Sequence, residues 1–434
     1  MRRAGVALAA VIAVCVGHQA LAQQSGWGRF SLFLDAWQQH QNSGLSTNLN
    51  EFIGNLSMRS SEAASDGVEY AVEARAATAP GAANNPDSVS IYDAWVGTWI
   101  NEGKVGVRVG QMWLTELGGL GSLGGGLFQI RGPAEPGTGR YRFALFGGLE
   151  PQLFEAGYVP NVKKAGGFVA YDGANGRQHV LGYVTIRNGG LTERSVLTTY
   201  NFIPGGLKFF VYQTAEYDLQ GPGGLGHGGL SYFFTTVRYA PSSVFDIQAM
   251  YHHGVSVDTR TITNDELAGR PVDSRALDGF LFESSSVRLT TQLGRTTRVW
   301  VGYGEDRNNL DDRRNPRTYL GFFAGNVVGS GLDFTATDSK IDASSGGYHS
   351  TYVSLGRSLG SRIYVSADYT SSLSVFRYTS SDGVTVETRP KSKRVAVQTM
   401  INATRTFSFL INAERLIEED SHETRLLTGL VIRF

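Results

Sequence analysis

Apolar and polar residues alternate along almost the whole chain with a period of two. In "RFSLFLDAW", Phe30, Leu32, Leu34 and Ala36 alternate with Ser31, Phe33, Asp35 and Trp37. In "GVEYAVEARA", Val68, Tyr70, Val72 and Ala74 alternate with Glu69, Ala71, Glu73 and Arg75. The pattern returns in "SSSVRLTTQL", "SRIYVSADY" and "KRVAVQTMIN". Successive side chains of a strand point to opposite faces, so each segment predicts a strand with one apolar and one polar face. No stretch beyond the N-terminus carries a sustained helical stripe. Many segments reach about ten residues, the length of a tilted strand that crosses a bilayer; strands of soluble proteins are commonly half as long.

Twenty segments follow this rule: 28–38, 51–60, 67–77, 89–101, 103–113, 124–131, 140–149, 165–172, 177–187, 194–203, 206–217, 230–240, 243–254, 281–294, 296–305, 347–359, 361–372, 393–404, 406–417 and 424–434. The short links include Thr404-Arg405-Thr406, Leu359-Gly360-Ser361, Gly294-Arg295-Thr296 and Pro204-Gly205-Gly206. They take turns with longer stretches at 150–164, 188–193, 219–229, 255–279, 306–346, 373–392 and 418–423. Short turns on one rim and long loops on the other are expected of an all-β, antiparallel, up-and-down transmembrane barrel with both ends in the periplasm, hence with an even strand number. The reading is about 18–20 strands within a range of 16–22, with "PRTYLGFFAGN" (316–326) a further candidate inside the longest loop.

The N-terminus changes the picture of compartment. Arg2-Arg3, an apolar run from Ala4 to about Val16 and Ala20-Leu21-Ala22 have the order of a secretory signal, giving a signal peptide at 1–22 and a single barrel domain at 23–434. Cys15 lies inside that signal behind Val14, where lipid attachment would want a small residue, and removal of the signal leaves no thiol for disulfide, nucleophile or metal. No other run is apolar for about 18 residues, so any crossing is made by strands. Lys+Arg and Asp+Glu are both 39, a balance that argues against nucleic acid as partner. Glycine, at 55 of 434 residues, is about twice its usual share of roughly 7% and suits turns and curved strands.

The last residues, "TRLLTGLVIRF", place Leu426, Thr428, Leu430, Ile432 and Phe434 on one face. An alternating final strand ending in phenylalanine resembles the C-terminal signature of Gram-negative outer-membrane barrels. That resemblance implies an address read by the barrel assembly machinery, with Leu430, Ile432 and Phe434 as the signal and outer-membrane lipid around the wall. "YDAWVGTWINEGKVGVRVGQMWL", then "GGLGSLGGGLFQIRG" and "FALFGG", covering about 90–150, is similar to porin-like barrels related to the phosphate- and carbohydrate-selective porins. It implies a trimeric or monomeric diffusion channel for small hydrophilic solutes. The lysine and arginine ladder of a phosphate-selective pore is not evident, so that specificity is not carried over.

With the apolar phase outward, the pore-lining candidates are Asp35, Glu69, Glu73, Asp93, Lys104 and Arg108 from the early strands. The late strands contribute Arg288, Arg298, Arg362, Asp368, Arg394 and Glu414, together with Arg425 and Arg433. Walls of charge bias permeation, and the basic excess points to a weak anion preference; lumen strands also need polar residues simply to be wet. The glycine-rich Gly118–Gly126 reads either as a constriction loop or as a flexible external loop. "DRNNLDDRRN" (306–315) offers calcium-type oxygens among arginines, and His252-His253 lacks a third ligand, so no metal, cofactor or catalytic residue is assigned. A porin-like channel leads. An enzyme at the barrel rim and a surface-binding barrel acting through its loops are the alternatives, and no plug domain precedes the first strand.

Overall fold

A computed structural model of the chain describes residues 26–434 apart from 62–64, 81–86, 134–136, 153–154, 207, 222–227, 273–275, 277, 310, 344–345 and 380–384. The predicted signal and its cleavage site lie outside the described residues. Twenty-three strands follow in order: β1 (Gly26–Gln41), β2 (Ser46–Ser60), β3 (Gly67–Thr78), β4 (Ser88–Ile100), β5 (Val105–Trp113), β6 (Ser122–Arg131), β7 (Arg140–Pro151), β8 (Tyr158–Asp172), β9 (Gln178–Asn188), β10 (Leu191–Gly205), β11 (Phe209–Gln220) and β12 (Gly229–Tyr239). The chain continues with β13 (Phe245–Ser256), β14 (Phe280–Gln292), β15 (Thr297–Asn308), β16 (Asp311–Ala324), β17 (Leu332–Ala343), β18 (Gly346–Leu359), β19 (Ile363–Thr379), β20 (Thr385–Thr388), β21 (Lys391–Asn402), β22 (Phe407–Glu418) and β23 (Ser421–Arg433).

Each strand but β20 pairs antiparallel with the next, and β23 pairs back onto β1, with Leu32 opposite Leu430 and Phe30 opposite Ile432. β20 pairs only with β19, as an outlying hairpin, so the closed ring has 22 strands. Closure leaves no unpaired strand edge, the condition for β-structure in hydrocarbon. At the seam the Gly28 amide donates to the Phe434 carbonyl and the Phe434 amide to the Gly28 carbonyl. The Phe434 ring lies where a Cβ on Gly28 would stand, so a larger residue there would displace the ring.

All twenty predicted segments are strands, and three strands lie outside that set: β16, at the further candidate 316–326, β17 and the short β20. The long loop expected at 306–346 holds β16 and β17, with 316–324 of the 316–326 candidate in β16, while 158–164, 373–379 and 421–423 extend neighbouring strands. The physical reason is visible in β17, where Asp338 and Lys340 share the outward face with Phe334 and Ala336. Above the hydrocarbon an outward residue need not be apolar, and the period-two signal fades while the backbone ladder continues. Two-residue hairpins close several of these extensions; Gly189 and Gly190, at φ 57° and 96°, form the one between β9 and β10, a geometry that favours glycine at both positions.

Two belts of outward aromatic residues mark the wall. Tyr141, Phe209, Tyr239, Phe407 and Phe434 stand near the rim that carries the chain ends, and Tyr183, Tyr217, Tyr251, Tyr303 and Tyr369 lie toward the far rim, all exposed. Between them Val169, Leu181, Val287, Leu289, Val301, Leu320, Val397 and Ile411 are also exposed. An apolar band flanked by aromatic girdles is the outer surface of a membrane-spanning barrel. No helix among the described residues is long and apolar enough to cross a membrane.

Candidate functional site

The interior is not an open tube. After β5 the chain turns inward through a short 3-10 segment, Thr115–Leu120, and Leu117 and Leu120 become buried. Leu117 fits over Gly182 of β9, where a Cβ would stand 2.5 Å from its Cδ2; Gly118 and Gly119 approach Thr214 and Glu216 of β11. Glycine at these positions lets the segment lie flat on the wall. Around it Leu123, Leu127, Phe146, Phe168, Val180, Val184, Ile186 and Val196, from the inner faces of β6 to β10, form one apolar cluster. Of the glycine-rich stretch Gly118–Gly126, 118–120 fold inward against the wall as part of this segment, while 122–126 belong to β6.

Charged side chains fasten the segment at its edges. Arg142 of β7 donates through Nη1 to Glu116 at 2.7 Å and through Nε and Nη2 to Asp172 at 2.5 and 3.2 Å. Lys164 of β8 is buried, its Nζ donating to the Ser122 carbonyl and hydroxyl, each at 3.2 Å. On the end-bearing side of the segment a cavity of about 380 Å³ is lined by Arg59, Glu69, Trp95, Trp99, Arg108, Arg140, Arg142 and Asp172. Arg108 pairs with Glu69 at 2.9 Å and lies over the Trp95 ring at 4.5 Å; Arg131 lies over Trp99 at 3.8 Å. On the other side a cavity of about 600 Å³ is lined by Arg194, Glu216, Asp218, His252 and Phe282. There Arg194 bridges Asp218 at 2.6 Å and Glu216 at 3.1 Å.

A second element comes from the far rim. Between β13 and β14, helix α1 (Thr259–Leu267) reaches β10, and its Arg260 donates to Glu193 at 2.6 Å and to Glu150 of β7 at 2.8 Å. Asp258 caps the helix by accepting the Thr261 amide at 3.0 Å. That bond holds the Asp258 carboxyl below the ordinary carboxylate range.

Strand parity puts Asp35, Glu69, Glu73, Asp93, Arg108, Arg288, Arg298, Asp368, Arg394 and Glu414 on the inner face. Asp35 and Arg425, from opposite ends of the chain, meet at the seam, with Nε 2.8 Å from Oδ1. Asp93 accepts from Arg59 at 3.2 Å and from the Trp113 amide at 2.8 Å. Asp368 accepts from Tyr352 at 2.8 Å, Arg288 donates to Gln248 at 2.6 Å, and Arg394 pairs with Glu414. Two of the pore-lining candidates, Lys104 and Arg362, stand in turns rather than in strands. Lys104 stands in the β4–β5 turn, exposed and bridged to Glu102 at 2.7 Å, and Arg362 stands in the β18–β19 turn. Each is one residue beyond a strand end, where alternation no longer fixes direction. Asp306 and Asn315 pair across the β15–β16 hairpin, so the calcium-type stretch is two strands; no group of three or more metal-ligating residues occurs among the described residues.

No family model matches the chain, and no curated protein matches it. Among solved structures, Acinetobacter baumannii OccAB4 is similar at TM-score 0.44 and 10% identity, covering 95% of this chain and 99% of that one. Pseudomonas aeruginosa OccK9 (OpdG) gives 0.45 and 10% over 94% and 99%, and Pseudomonas aeruginosa OpdQ 0.45 and 9% over 95% and 100%. The barrel described above rests on this chain's own strand pairing.

Arg59, Arg140, Arg142, Lys164, Arg194 and Glu216 were missed in the sequence, although the segments holding most of them were identified. Applying the same alternation to 140–149 sends Tyr141 and Phe143 outward and Arg140 and Arg142 inward. Trp95 and Trp99 read as apolar yet face the lumen, where each stacks under an arginine.

Proposed function

We propose that this chain is an outer-membrane channel through which small hydrophilic solutes diffuse passively, with the rim bearing the chain ends in the periplasm. One observation supports it above the rest. A closed ring of 22 strands, apolar outside and charged inside, encloses a segment folded against one wall that narrows the lumen without a separate plug among the described residues. Such a ring satisfies every backbone amide internally, and its inner charges keep water and solute in contact along the path.

The anion preference is a proposal of finer grain. Most inner cations are neutralised by carboxylates, as in Arg142 with Glu116 and Asp172 or Arg394 with Glu414. Arg288 is bonded to an amide, and Arg298 has no carboxylate at ion-pair distance among the described residues. With Lys164, held by Ser122, and Arg433, bonded to the Ser408 hydroxyl, they carry inner positive charge that no carboxylate neutralises among the described residues. The final Leu430, Ile432 and Phe434 on the outward face suit a signal read by the assembly machinery.

Refolded protein in planar bilayers tests the reading. Discrete, ohmic open steps are expected, with a reversal potential in a potassium chloride gradient displaced slightly toward the chloride value. A barrel that inserts and stays silent overturns the channel; a reversal potential on the potassium side overturns only the anion preference.

A further inference from the structure

On the outer wall, toward the far rim, a groove of about 660 Å³ runs across β7 to β11. Its lower part is apolar, with Leu149, Ala165 and Tyr183, and its upper part holds Lys163, Thr185 and Arg187. Lys163 and Arg187 are directly opposite each other across β8 and β9, both outward and both exposed. Like charges in that relation repel. On the inner face of the neighbouring strands Arg142 and Arg194 are each paired with carboxylates, whereas Lys163 and Arg187 have no ion-pair partner among the described residues. The Thr185 and Ser195 hydroxyls lie 3.2 Å apart in the floor of the groove and add neutral donors.

Height decides what could sit there. Outward residues of β8 read Tyr171, Val169, Gly167 and Ala165 from the end-bearing rim before Lys163 interrupts them; those of β9 read Leu181 and Tyr183 before Thr185 and Arg187. The two cations therefore stand just above the far aromatic belt, at the level of lipid headgroups, while the apolar part of the groove is at the level of the chains. We propose that this groove binds a phosphate-bearing glycolipid of the outer leaflet, with Lys163 and Arg187 sharing the phosphate and an acyl chain lying along Leu149, Ala165 and Tyr183. A phosphate between them replaces a repulsion by two charge-assisted contacts, to which arginine contributes a fork and lysine a point charge. The proposal rests on the membrane orientation given under the proposed function, because it assigns the far rim to the exterior.

Native mass spectrometry of the refolded full chain in detergent, titrated with a bisphosphorylated acyl-glucosamine lipid, tests it. The wild type is expected to retain one lipid, and the double variant Lys163→Met with Arg187→Met to bind it about tenfold more weakly. The dephosphorylated lipid is expected to bind the wild type as weakly as the phosphorylated lipid binds that variant. Lys393 and Arg415, also outward and without ion-pair partners among the described residues, lie outside the groove. The pair Lys393→Met with Arg415→Met serves as the comparison. Equal weakening by that pair, no weakening by the groove variant, or displacement of the lipid by inorganic phosphate alone would each overturn the site. Both altered pairs face away from the lumen, so conductance recorded on the same preparations separates the two readings: lost lipid discrimination with normal conductance sinks the groove only, and a silent barrel that keeps the discrimination sinks the channel only.

Discussion

The two halves of the wall are built on different principles. Along β5 to β10 the inner face is packed like the core of a soluble domain, with Phe168, Val184 and Val196 almost wholly buried beneath the constriction segment. Along β17 to β22 the inner face reads Thr335, Thr337, Ser350, Ser354, Ser366, Gln398 and Asn412, and no inward segment covers it among the described residues. Ion pairs differ in the same way. Arg142 and Glu116 have side chains 12% and 13% exposed, whereas Arg394, opposite Glu414, is 47% exposed. One half uses its inner surface to hold a shape, and the other uses it to stay wet. A change on the packed half should therefore alter the geometry of the lumen, and a change on the wet half only its potential.

Leu117→Asp breaks the contrast most strongly. A carboxylate against the apolar wall of β8 to β10 should undock the segment, at a cost of at least about 3 kcal/mol by analogy with core truncations. Single-channel conductance should rise severalfold and become noisy; an unchanged current would mean that the segment does not set the lumen width. Next comes Arg142→Met, which strips Glu116 and Asp172 of their shared cation in a half-dry site at a cost of roughly 3 kcal/mol. Its expected signature is frequent closure events together with a reversal potential moved toward the cation value. Arg142→Lys should restore the charge without the fork and remain noisy.

Away from the packed half, on β14 and β15, Arg288→Ser combined with Arg298→Ser should leave conductance steady and shift the reversal potential by a few millivolts toward the cation value. A large change in conductance there would remove the distinction between the halves. The smallest effect belongs to helix α1, which leaves β13 and docks on β10. The Asp258 carboxyl is held below its ordinary value, so its capping contribution is complete above the ordinary carboxylate range and is lost as pH falls through the depressed value. Amide exchange in 259–263 should quicken only in that acid window, while the strand amides stay protected; quickening near neutral pH would rule out the cap as the cause.

Particular residues show what was legible. In β1 and β23 the alternation of Phe30 to Trp37 and of Leu426 to Phe434 named the faces correctly, and the acidic first strand and basic last strand did meet, as Asp35 with Arg425. In β17 the same logic had nothing to hold, because Asp338, Lys340 and Asp342 follow Phe334 and Ala336 on the outward side once the strand rises above the hydrocarbon. Part of the lumen charge was named residue by residue, but Arg59, Arg140, Arg142, Lys164, Arg194 and Glu216 were missed, and the pairing of all of them was hidden. Arg142 finds Glu116 across 26 residues and Arg260 finds Glu150 across 110, contacts that no local window contains.

The order of apolar and polar positions determined by itself that this chain is strands, that they are long, and which of their faces turns to hydrocarbon. That follows from a rule acting on each residue alone, since lipid excludes an unpaired amide and an exposed charge wherever they occur. Only the tertiary structure decided how many strands close the ring, that Thr115 to Leu120 folds inward onto Gly182, and which cations are neutralised and which are left on the outer wall. Those are properties of pairs brought together by closure, and the period of a single strand carries no information about its partner across the lumen.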